Sequence, residues 1–273
     1  MRHTRKLEQF LRFAELLHSS TDIDPVYPVL KELYRYWELS PVQSLWVSAL
    51  YLGYYHLGSA LKAYSICSTS RCLPTQLIEL CNLPIGMERR GLRGGHIEKY
   101  LAGCSANNWP NVDAYKTLDT ELLTENYTML RAQVRQLPYI GPWAAFKWLE
   151  LLREVHEQPL VAPHMFLHES SGPLAGLEIV MDISRDDLIA CERAAEELQR
   201  ITGYSWERLE TCLCDFHSYT QGRYRIGMKI AKMLTEMKEV LLEKDVLSDV
   251  MKARRQTLNN DYLTECWTLD LGR

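Results

Sequence analysis

Two groups of basic residues stand out because each lies where a predicted loop meets a predicted helix. The first group, in the glycine-rich segment PIGMERRGLRGG, is Arg89, Arg90 and Arg93. The second group is Arg223, Arg225 and Lys229. The planar guanidinium of arginine binds two phosphate oxygens at once. We therefore predict phosphate-binding sites at both segments, and the alternatives are a solvated charged face or contacts with ordinary DNA phosphates.

The sequence also contains candidates for a general base. Histidine ionises near neutral pH, and a positioned carboxylate also accepts protons. The candidates are His164, His217, Asp22, Asp24 and Asp215. Two alternatives stay open. Asp22 and Asp24 precede Pro25 and suit helix capping, and a single histidine is often a structural residue.

The composition is that of an ordinary globular chain. It has 273 residues, 47% of them hydrophobic, and its 31 Lys and Arg against 35 Asp and Glu give a net charge of −4. This balance gives no indication of a nucleic-acid partner, so any basic binding surface must be local. No apolar run reaches the roughly 18 residues of a membrane helix, and the first residues lack the apolar stretch of a secretory signal. We expect no membrane association and a cytoplasmic location.

The eight cysteines are predicted to be reduced, because a chain of this length without an export signal needs no disulfides. Cys212 and Cys214 have C-x-C spacing, and no second pair completes a tetrahedral zinc site. The four-cysteine spacing of an iron–sulfur cluster is also absent from residues 191–214. No metal site is therefore predicted from the cysteines.

Apolar residues recur at helical spacing along nearly the whole chain, which predicts an all-α fold. The predicted helices cover 5–18, 26–37, 41–65, 75–81, 95–103, 111–116, 119–136, 142–156, 163–170, 186–202, 205–217 and 224–243. Ser40, Asp113 and Ser205 are predicted helix starts, and Pro142 suits a first turn. Glycine and proline at 84–95, 138–142 and 172–176 predict connections. A charged tail from about Lys244 is predicted to pack onto the body.

The most specific local pattern is LPYIGPWAA at 137–145, between two amphipathic helices. It resembles a helix-hairpin-helix motif, usually written L-P-G-I/V-G-x-x-T/S-A. In that motif the turn leaves N–H groups free at the start of the second helix, where they bind a DNA phosphate. Tyr139 stands where the motif prefers glycine, and a plain helical corner is the alternative. The resemblance implies that the hairpin contacts DNA through Leu137, Tyr139, Gly141, Trp143 and Lys147. It also implies a divalent or monovalent cation at the hairpin.

Residues 41–170 resemble the helical domain of helix-hairpin-helix DNA glycosylases, and residues 1–40 plus 171–273 are predicted to form a second helical subdomain. The segment 43–64 resembles a glycosylase helix that ends at the DNA lesion, which implies that Tyr54 or Tyr55 contacts DNA. Gly91-Leu92-Arg93 and Trp109-Pro110 also match that pattern. After the hairpin those enzymes carry V-D-T-H-V-F-R with a catalytic Asp, whereas this chain reads VAPHMFL at 161–167. Ala162 has no carboxylate, so a conventional glycosylase is not expected, and His164 is expected beside an extruded base.

Three more segments carry a narrower resemblance: DIDPVYP at 22–28, ERRGLR at 88–93 and LCDFHSYTQGRYRIG at 213–227. Over about residues 15–235 the chain resembles bacteriophage thymine-hypermodification enzymes, the α-glutamyl/putrescinyl thymine pyrophosphorylases or amino acid:DNA transferases. This resemblance implies an enzyme that displaces pyrophosphate from 5-pyrophosphomethyl-uracil in double-stranded DNA. The implied donor is an amine, either an amino acid such as glycine or a polyamine. It also implies a separate hydroxymethyluracil-DNA kinase, in the cytoplasm of an infected bacterium.

In such a reaction both basic groups would bind the departing pyrophosphate, because negative charge collects on it in the transition state. The candidate bases would take a proton from the amine. Two other hypotheses are kept. One is a glycosylase that uses a displaced carboxylate such as Glu169 or Asp215, and the other is a DNA-binding module without catalysis.

Overall fold

The computed structural model describes residues 2–240 and 242–263. Over these residues it contains fourteen α-helices, two 3₁₀ helices and no β-strand, so the all-α prediction is confirmed. The α-helices are α1 (Arg2–Ser19), α2 (Val26–Tyr36), α3 (Pro41–Tyr54), α4 (Leu57–Ile66), α5 (Pro74–Cys81), α6 (His96–Ala106), α7 (Val112–Lys116), α8 (Leu123–Val134), α9 (Pro142–Glu154), α10 (Ser171–Met181), α11 (Leu188–Thr202), α12 (Trp206–Thr220), α13 (Met228–Glu239) and α14 (Lys244–Thr257). The 3₁₀ helices are Met87–Leu92 and Leu167–Glu169. No helix in this part of the chain is long and apolar enough to cross a membrane.

The chain divides into two compact units, each assembled from separate stretches. Unit 1 comprises residues 1–25, 161–229 and 259–273, and unit 2 comprises 26–160 and 230–258. The predicted subdomains change at 40/41 and 170/171, whereas the units change at 25/26 and 160/161. The stretch 230–258, with α14, belongs to unit 2. The last ten residues of the predicted tail, 264–273, lie outside the described residues.

Unit 1 is built from α1, α10, α11 and α12. Phe10 and Phe13 of α1 pack on Phe216 of α12, with ring centroids 5.4 and 5.5 Å apart. Gly172 and Gly176 allow α10 to approach α12 closely, because a Cβ on Gly176 would lie 2.4 Å from the Leu213 carbonyl oxygen. The prediction of a connection at 172–176 was therefore wrong, since these glycines serve close helix packing rather than a turn.

Two other predicted elements of unit 1 are corrected. The helix predicted over 163–170 contains only the short 3₁₀ segment Leu167–Glu169. The helix predicted from 224 begins at Met228, because residues 221–227 form the loop between α12 and α13. At the start of α12, the predicted cap is confirmed, since the Ser205 side chain accepts the N–H of Arg208.

Unit 2 surrounds α3, which is buried from Ser44 to Tyr54 and packs on α4, α6, α7 and α9. Its predicted start is confirmed: the Ser40 side chain accepts the Gln43 N–H, and the Gln43 side chain accepts the Ser40 N–H. The single helix predicted over 41–65 was wrong, because Tyr55 adopts φ 46° and ends α3. The helix predicted to start at Asp113 is instead capped by Asn111. Trp148 is fully buried.

The cysteine prediction is corrected at one pair. Cys67 and Cys72 form a disulfide, because the loop after α4 brings their Cα atoms to 5.7 Å. The other described cysteines are free thiols, and Cys266 lies outside the described residues. Among the described residues, no three His, Cys, Asp or Glu side chains are grouped so that they would hold a metal ion.

Three buried or partly buried polar side chains form a hydrogen-bonded series inside unit 2. The Ser48 hydroxyl lies 2.8 Å from the Tyr34 hydroxyl and 2.8 Å from Nε2 of His156. The rings of Tyr34 and His156 stack with centroids 5.7 Å apart. Burial lowers the pKa of His156 to about 4. The imidazole is therefore neutral in the folded protein at neutral pH.

This burial predicts a loss of stability in acid. The pKa of His156 is near its ordinary value of 6.5 in the unfolded chain and about 4 in the folded chain. Between these values the unfolded chain binds more protons, so stability falls as the pH drops through this window. We expect His156 to lower the free energy of unfolding by about 2 kcal/mol between pH 7.5 and pH 5. Urea unfolding of the wild type and of His156→Gln should differ by this amount in their pH dependence, and equal pH dependence in the two proteins contradicts the prediction.

Candidate functional site

Asp22 of unit 1 lies in the segment that follows α1 and is completely buried. Its Oδ2 accepts the N–H of Gly227 at 2.8 Å and the hydroxyl of Tyr224. Both partners belong to the loop between α12 and α13. Asp22 therefore fixes the conformation of that loop, a role that the sequence prediction of a base or a helix cap did not include.

Lys229 and two more predicted acidic residues join this cluster. Nζ of Lys229, in the first turn of α13, lies 2.7 Å from Oδ2 of Asp215 and donates to the Ile23 carbonyl oxygen at 2.7 Å. Oδ2 of Asp24 accepts the Thr211 hydroxyl at 3.4 Å. The tertiary fold thus brings Asp22 and Asp24 together with Asp215 and Lys229, which lie about 190 residues further along the sequence.

The loop between α12 and α13 presents two arginines to solvent. Arg223 and Arg225 are exposed, whereas Tyr224 between them is buried. Burial and the negative charges of Asp215 and Asp22 raise the pKa of the Tyr224 phenol, so its hydroxyl stays protonated and donates to Asp22. Because Tyr224 is anchored in this way, the two guanidinium groups are held on the outer side of a fixed loop.

The predicted histidines lie on other segments of unit 1. His164 is exposed in the turn before the Leu167–Glu169 helix, where its Nδ1 accepts the N–H of Phe166 at 3.1 Å. A neutral ring in this geometry carries its proton on Nε2. His217 is half-buried in the last turn of α12, just before the loop that carries Arg223 and Arg225. Ala162 is buried.

The predicted hairpin lies in unit 2 between α8 and α9. Gly141 caps α9, and Pro142 occupies the first turn, as predicted. The first N–H groups of any α-helix have no acceptor within the helix, so the start of α9 presents donors to an anion. Leu137 is half-buried and Gly141 is exposed at this turn. Tyr139 is 37% exposed and adopts φ 62°, the left-handed conformation that glycine takes more easily.

Arg89 holds the hairpin turn from inside unit 2. Arg89 is 8% exposed, and its Nη1 and Nη2 both donate to the Tyr139 carbonyl oxygen at 3.2 Å. The same group lies 5.6 Å from the centre of the Tyr100 ring. Burial lowers the pKa of Arg89. This placement gives Arg89 a positioning role at the hairpin, whereas the sequence predicts a phosphate ligand.

Arg89→Met is expected to loosen the hairpin. Removing the guanidinium leaves the Tyr139 carbonyl without these two donors, which costs about 2 kcal/mol of stability. Amide hydrogen exchange at residues 137–145 should become faster, and urea unfolding should show the loss of stability. Lys99→Met removes an exposed cation from α6 and serves as the control. Unchanged exchange at the hairpin in Arg89→Met contradicts the positioning role.

The remaining residues that were predicted to contact DNA differ in how deeply they are buried. Tyr55 is half-buried, and its ring meets Trp143 edge to face with centroids 4.8 Å apart, so the two aromatics lie together at the start of α9. Tyr54 is fully buried and its hydroxyl donates to the Leu80 carbonyl oxygen at 2.9 Å. Lys147 is 4% exposed, and its Nζ lies 2.8 Å from Oε2 of Glu150. The interior positions of Tyr54 and Lys147 suit structural roles.

Arg90 lies in the same 3₁₀ helix as Arg89, Arg93 directly follows that helix, and both are exposed. Nη1 of Arg90 donates to the Met87 carbonyl oxygen at 3.3 Å, and Nη2 of Arg93 donates to the Ile85 carbonyl oxygen at 2.9 Å. These bonds orient the guanidinium groups. Of the three arginines predicted here, two therefore face solvent and one faces the interior.

Residues 111–224 match the family model of the amino acid:DNA transferases. The chain carries an amino acid:DNA transferase domain. The predicted family and the prediction of an enzyme are thus confirmed. A comparison with curated proteins finds no match.

The matched residues include the hairpin, His164, Asp215 and His217, and the match ends at Tyr224. Asp22, the segment 89–93 and Lys229 lie outside the matched residues. Three residues of the cluster were not singled out from the sequence: Thr211, Gly227 and Tyr224. The alternation Arg223-Tyr224-Arg225 was a signal that Tyr224 is buried, because charged side chains are mostly exposed and a large aromatic side chain is more often buried.

Proposed function

We propose that the protein attaches an amino acid, through its amine, to 5-pyrophosphomethyl-uracil in double-stranded DNA. The amine nitrogen forms a bond to the exocyclic methylene carbon, and the carbon–oxygen bond to pyrophosphate breaks. The bonding electrons leave with pyrophosphate, and a base takes the proton of the amine. The match to the transferase family, together with the anchored loop that carries Arg223 and Arg225, is the observation that carries this proposal.

Arg223 and Arg225 are proposed to bind the departing pyrophosphate. Charge grows on its oxygens as the carbon–oxygen bond breaks, and fixed cations stabilise that transition state more than the ground state. The bonds of Asp22 to Tyr224 and Gly227 keep the loop in place, so little reorganisation is needed during the reaction. Lys229 anchors the start of α13 through Asp215 and the Ile23 carbonyl.

His217 is the proposed base. It directly precedes the arginine loop, and histidine as a residue type ionises near neutral pH. His164 is less suited in this geometry because its Nδ1 already accepts the Phe166 N–H. His217→Ala should lose transfer activity, and added imidazole should restore part of it. Rescue of His164→Ala instead would assign the base to the other histidine.

DNA is proposed to bind at a helix-hairpin-helix turn in a glycosylase-like arrangement of helices. The donors at the start of α9 suit a backbone phosphate, and the Tyr55–Trp143 pair beside them offers an aromatic surface for a base. The cation that the motif resemblance implies does not fit at Tyr139. The Tyr139 carbonyl oxygen accepts two N–H groups of Arg89, whose charge repels a second cation there.

The test uses duplex DNA that contains 5-pyrophosphomethyl-uracil, prepared with a hydroxymethyluracil-DNA kinase. With glycine and the protein, we expect free pyrophosphate and a nucleoside heavier than the hydroxymethyl form by glycine minus water. DNA without the pyrophosphate group should give neither product. Absence of both products with every amino acid and polyamine overturns the proposal. Alkali-labile abasic sites would instead support a glycosylase that uses Glu169 or Asp215. DNA binding without turnover would support a DNA-binding module.

The proposed substrate implies a hydroxymethyluracil-DNA kinase that acts earlier on the same DNA. Such DNA belongs to a bacteriophage, so the proposed location is the cytoplasm of the infected bacterium. Arg225→Ala separates the transferase from a simple DNA-binding module. It should abolish pyrophosphate release in the former case and only weaken salt-dependent binding in the latter.

A further inference from the structure

A small cleft inside unit 2 lies between the segment before α4, the segment 81–97 and the end of α13. Its volume is about 370 Å³, within the range of about 300–1,000 Å³ that is typical of small-molecule sites. Leu83, Pro84, Ile85, Leu92 and Ile97 form the apolar part of its walls, and polar groups form the rest. Its charged lining residues are Arg93 and Glu239, and His56 lies beside Glu239.

The positively charged side chain of the cleft, Arg93, is held in a defined orientation. Nη2 of Arg93 donates to the carbonyl oxygen of Ile85 at 2.9 Å, while the side chain as a whole stays exposed. A guanidinium fixed through one nitrogen still has donors on its other edge, which suit a carboxylate. Gly94 and Gly95 also line the cleft, and neither would bring a Cβ within 4 Å of other atoms. The space beside these two glycines is therefore open.

The negatively charged side chain of the cleft, Glu239, is oriented by the neighbouring His56. His56 is 4% exposed, and its Nδ1 accepts the N–H of Ser59 at 3.1 Å, which places the proton of the neutral ring on Nε2. That Nε2–H donates to Oε2 of Glu239 at 3.0 Å. The Glu239 side chain is 52% exposed, so the carboxylate faces both the histidine and solvent.

The backbone around this pair is closely packed. The Leu57 N–H donates to Oε2 of Glu236 at 2.7 Å, which ties the start of α4 to α13. A Cβ on Gly58 would lie 2.2 Å from the Glu236 carbonyl oxygen, so α4 and α13 are in direct backbone contact. Glu239 sits one turn further along α13. Its position relative to His56 is therefore set by main-chain packing.

We propose that this cleft binds the free amino acid donor as a zwitterion, with its carboxylate on Arg93 and its ammonium group on Glu239. This inference rests on the proposed transfer reaction. The presence of both charges selects the ligand class. Glu239 repels pyrophosphate, and Arg93 repels a polyamine, whereas an α-amino acid complements both groups.

The experiment measures glycine binding by calorimetry without DNA, and the KM for glycine in the transfer assay. Arg93→Gln and Glu239→Gln should each weaken glycine binding and raise the KM by about tenfold or more, because each loses a charge-assisted contact. Lys99→Gln and Glu121→Gln remove exposed charges that do not line the cleft and should stay within about twofold of the wild type. Arg93→Lys keeps the positive charge but loses the planar guanidinium, so its glycine affinity and KM should lie between those of the wild type and of Arg93→Gln.

Methylamine, which is glycine without its carboxylate, tests the assigned contact. Its binding should be weakened by Glu239→Gln and not by Arg93→Gln, and a general structural defect would affect glycine and methylamine alike. Wild-type glycine affinity and KM in both charge variants overturn the cleft assignment while leaving the transfer reaction intact. Glycine binding that depends on Arg93, in a protein that transfers nothing, supports the cleft and overturns the proposed function.

Discussion

Lys147→Met is expected to lower the free energy of unfolding by about 3–5 kcal/mol, the usual cost of removing one partner of a buried ion pair. The side chains of Lys147 and Glu150 are each 5% exposed, and Nζ lies 2.8 Å from Oε2. The same carboxylate oxygen accepts the hydroxyl of Tyr27 at 3.2 Å. Without the amine, the Glu150 carboxylate would stay charged inside unit 2 or take up a proton, and both are unfavourable.

Urea unfolding at pH 7 measures this effect. Lys116→Met breaks the exposed pair with Asp113, whose side chains are 65% and 80% exposed, and should change stability by less than about 1 kcal/mol. The double variant Lys147→Met/Glu150→Leu removes both charges and should recover part of the loss. If Lys147→Met unfolds like the wild type and loses only DNA affinity, Lys147 is the DNA contact that the sequence predicts and not a structural residue.

Asp22→Asn is expected to slow amino acid transfer by about 100-fold, which is the usual cost of misplacing catalytic groups by about 1 Å. The carboxylate accepts a backbone N–H from Gly227 and a hydroxyl from Tyr224 through the same oxygen, Oδ2. Asparagine keeps one acceptor oxygen but removes the negative charge, so both bonds to the loop are weakened. The loop would shift, and with it the exposed guanidinium groups of Arg223 and Arg225.

The transfer rate at saturating glycine is the measurement, alongside urea unfolding. Tyr224→Phe removes one of the two donors and should cost less than Asp22→Asn. The double variant should be close to Asp22→Asn alone, because the two residues act through one contact. Asp186→Asn, an exposed change in unit 1, is the control. A wild-type transfer rate in Asp22→Asn would show that the loop does not depend on this carboxylate.

Local sequence patterns predicted most helix positions well. Ser40 before Pro41, Ser205 and Gly141-Pro142 begin α3, α12 and α9 as expected. The failures share a cause. Tyr55 interrupts the predicted helix at 41–65, and Gly172 and Gly176 lie inside α10. In each case a tertiary contact or a left-handed residue determines the backbone, and apolar spacing carries no signal for either.

The chemical residues show the same limit. The sequence singled out Asp22, Asp215 and Lys229 separately, and their grouping could not be predicted because it depends on contacts across long separations. Arg89 and Lys147 were selected as cations for phosphate or DNA, yet both are buried. For Lys147 a signal existed, since Glu150 follows it by three residues on the same face of α9.

By itself, the sequence determined that the chain is helical, where most helices begin, and that a hairpin joins α8 to α9, because these features follow from short-range hydrogen bonding and apolar periodicity. It also carried enough of a pattern to indicate an amino acid:DNA transferase. Only the tertiary structure decided which charges face solvent and which act inside the protein. The physical reason is desolvation. Whether a guanidinium such as Arg89 meets water or a carbonyl 50 residues away depends on packing between distant segments.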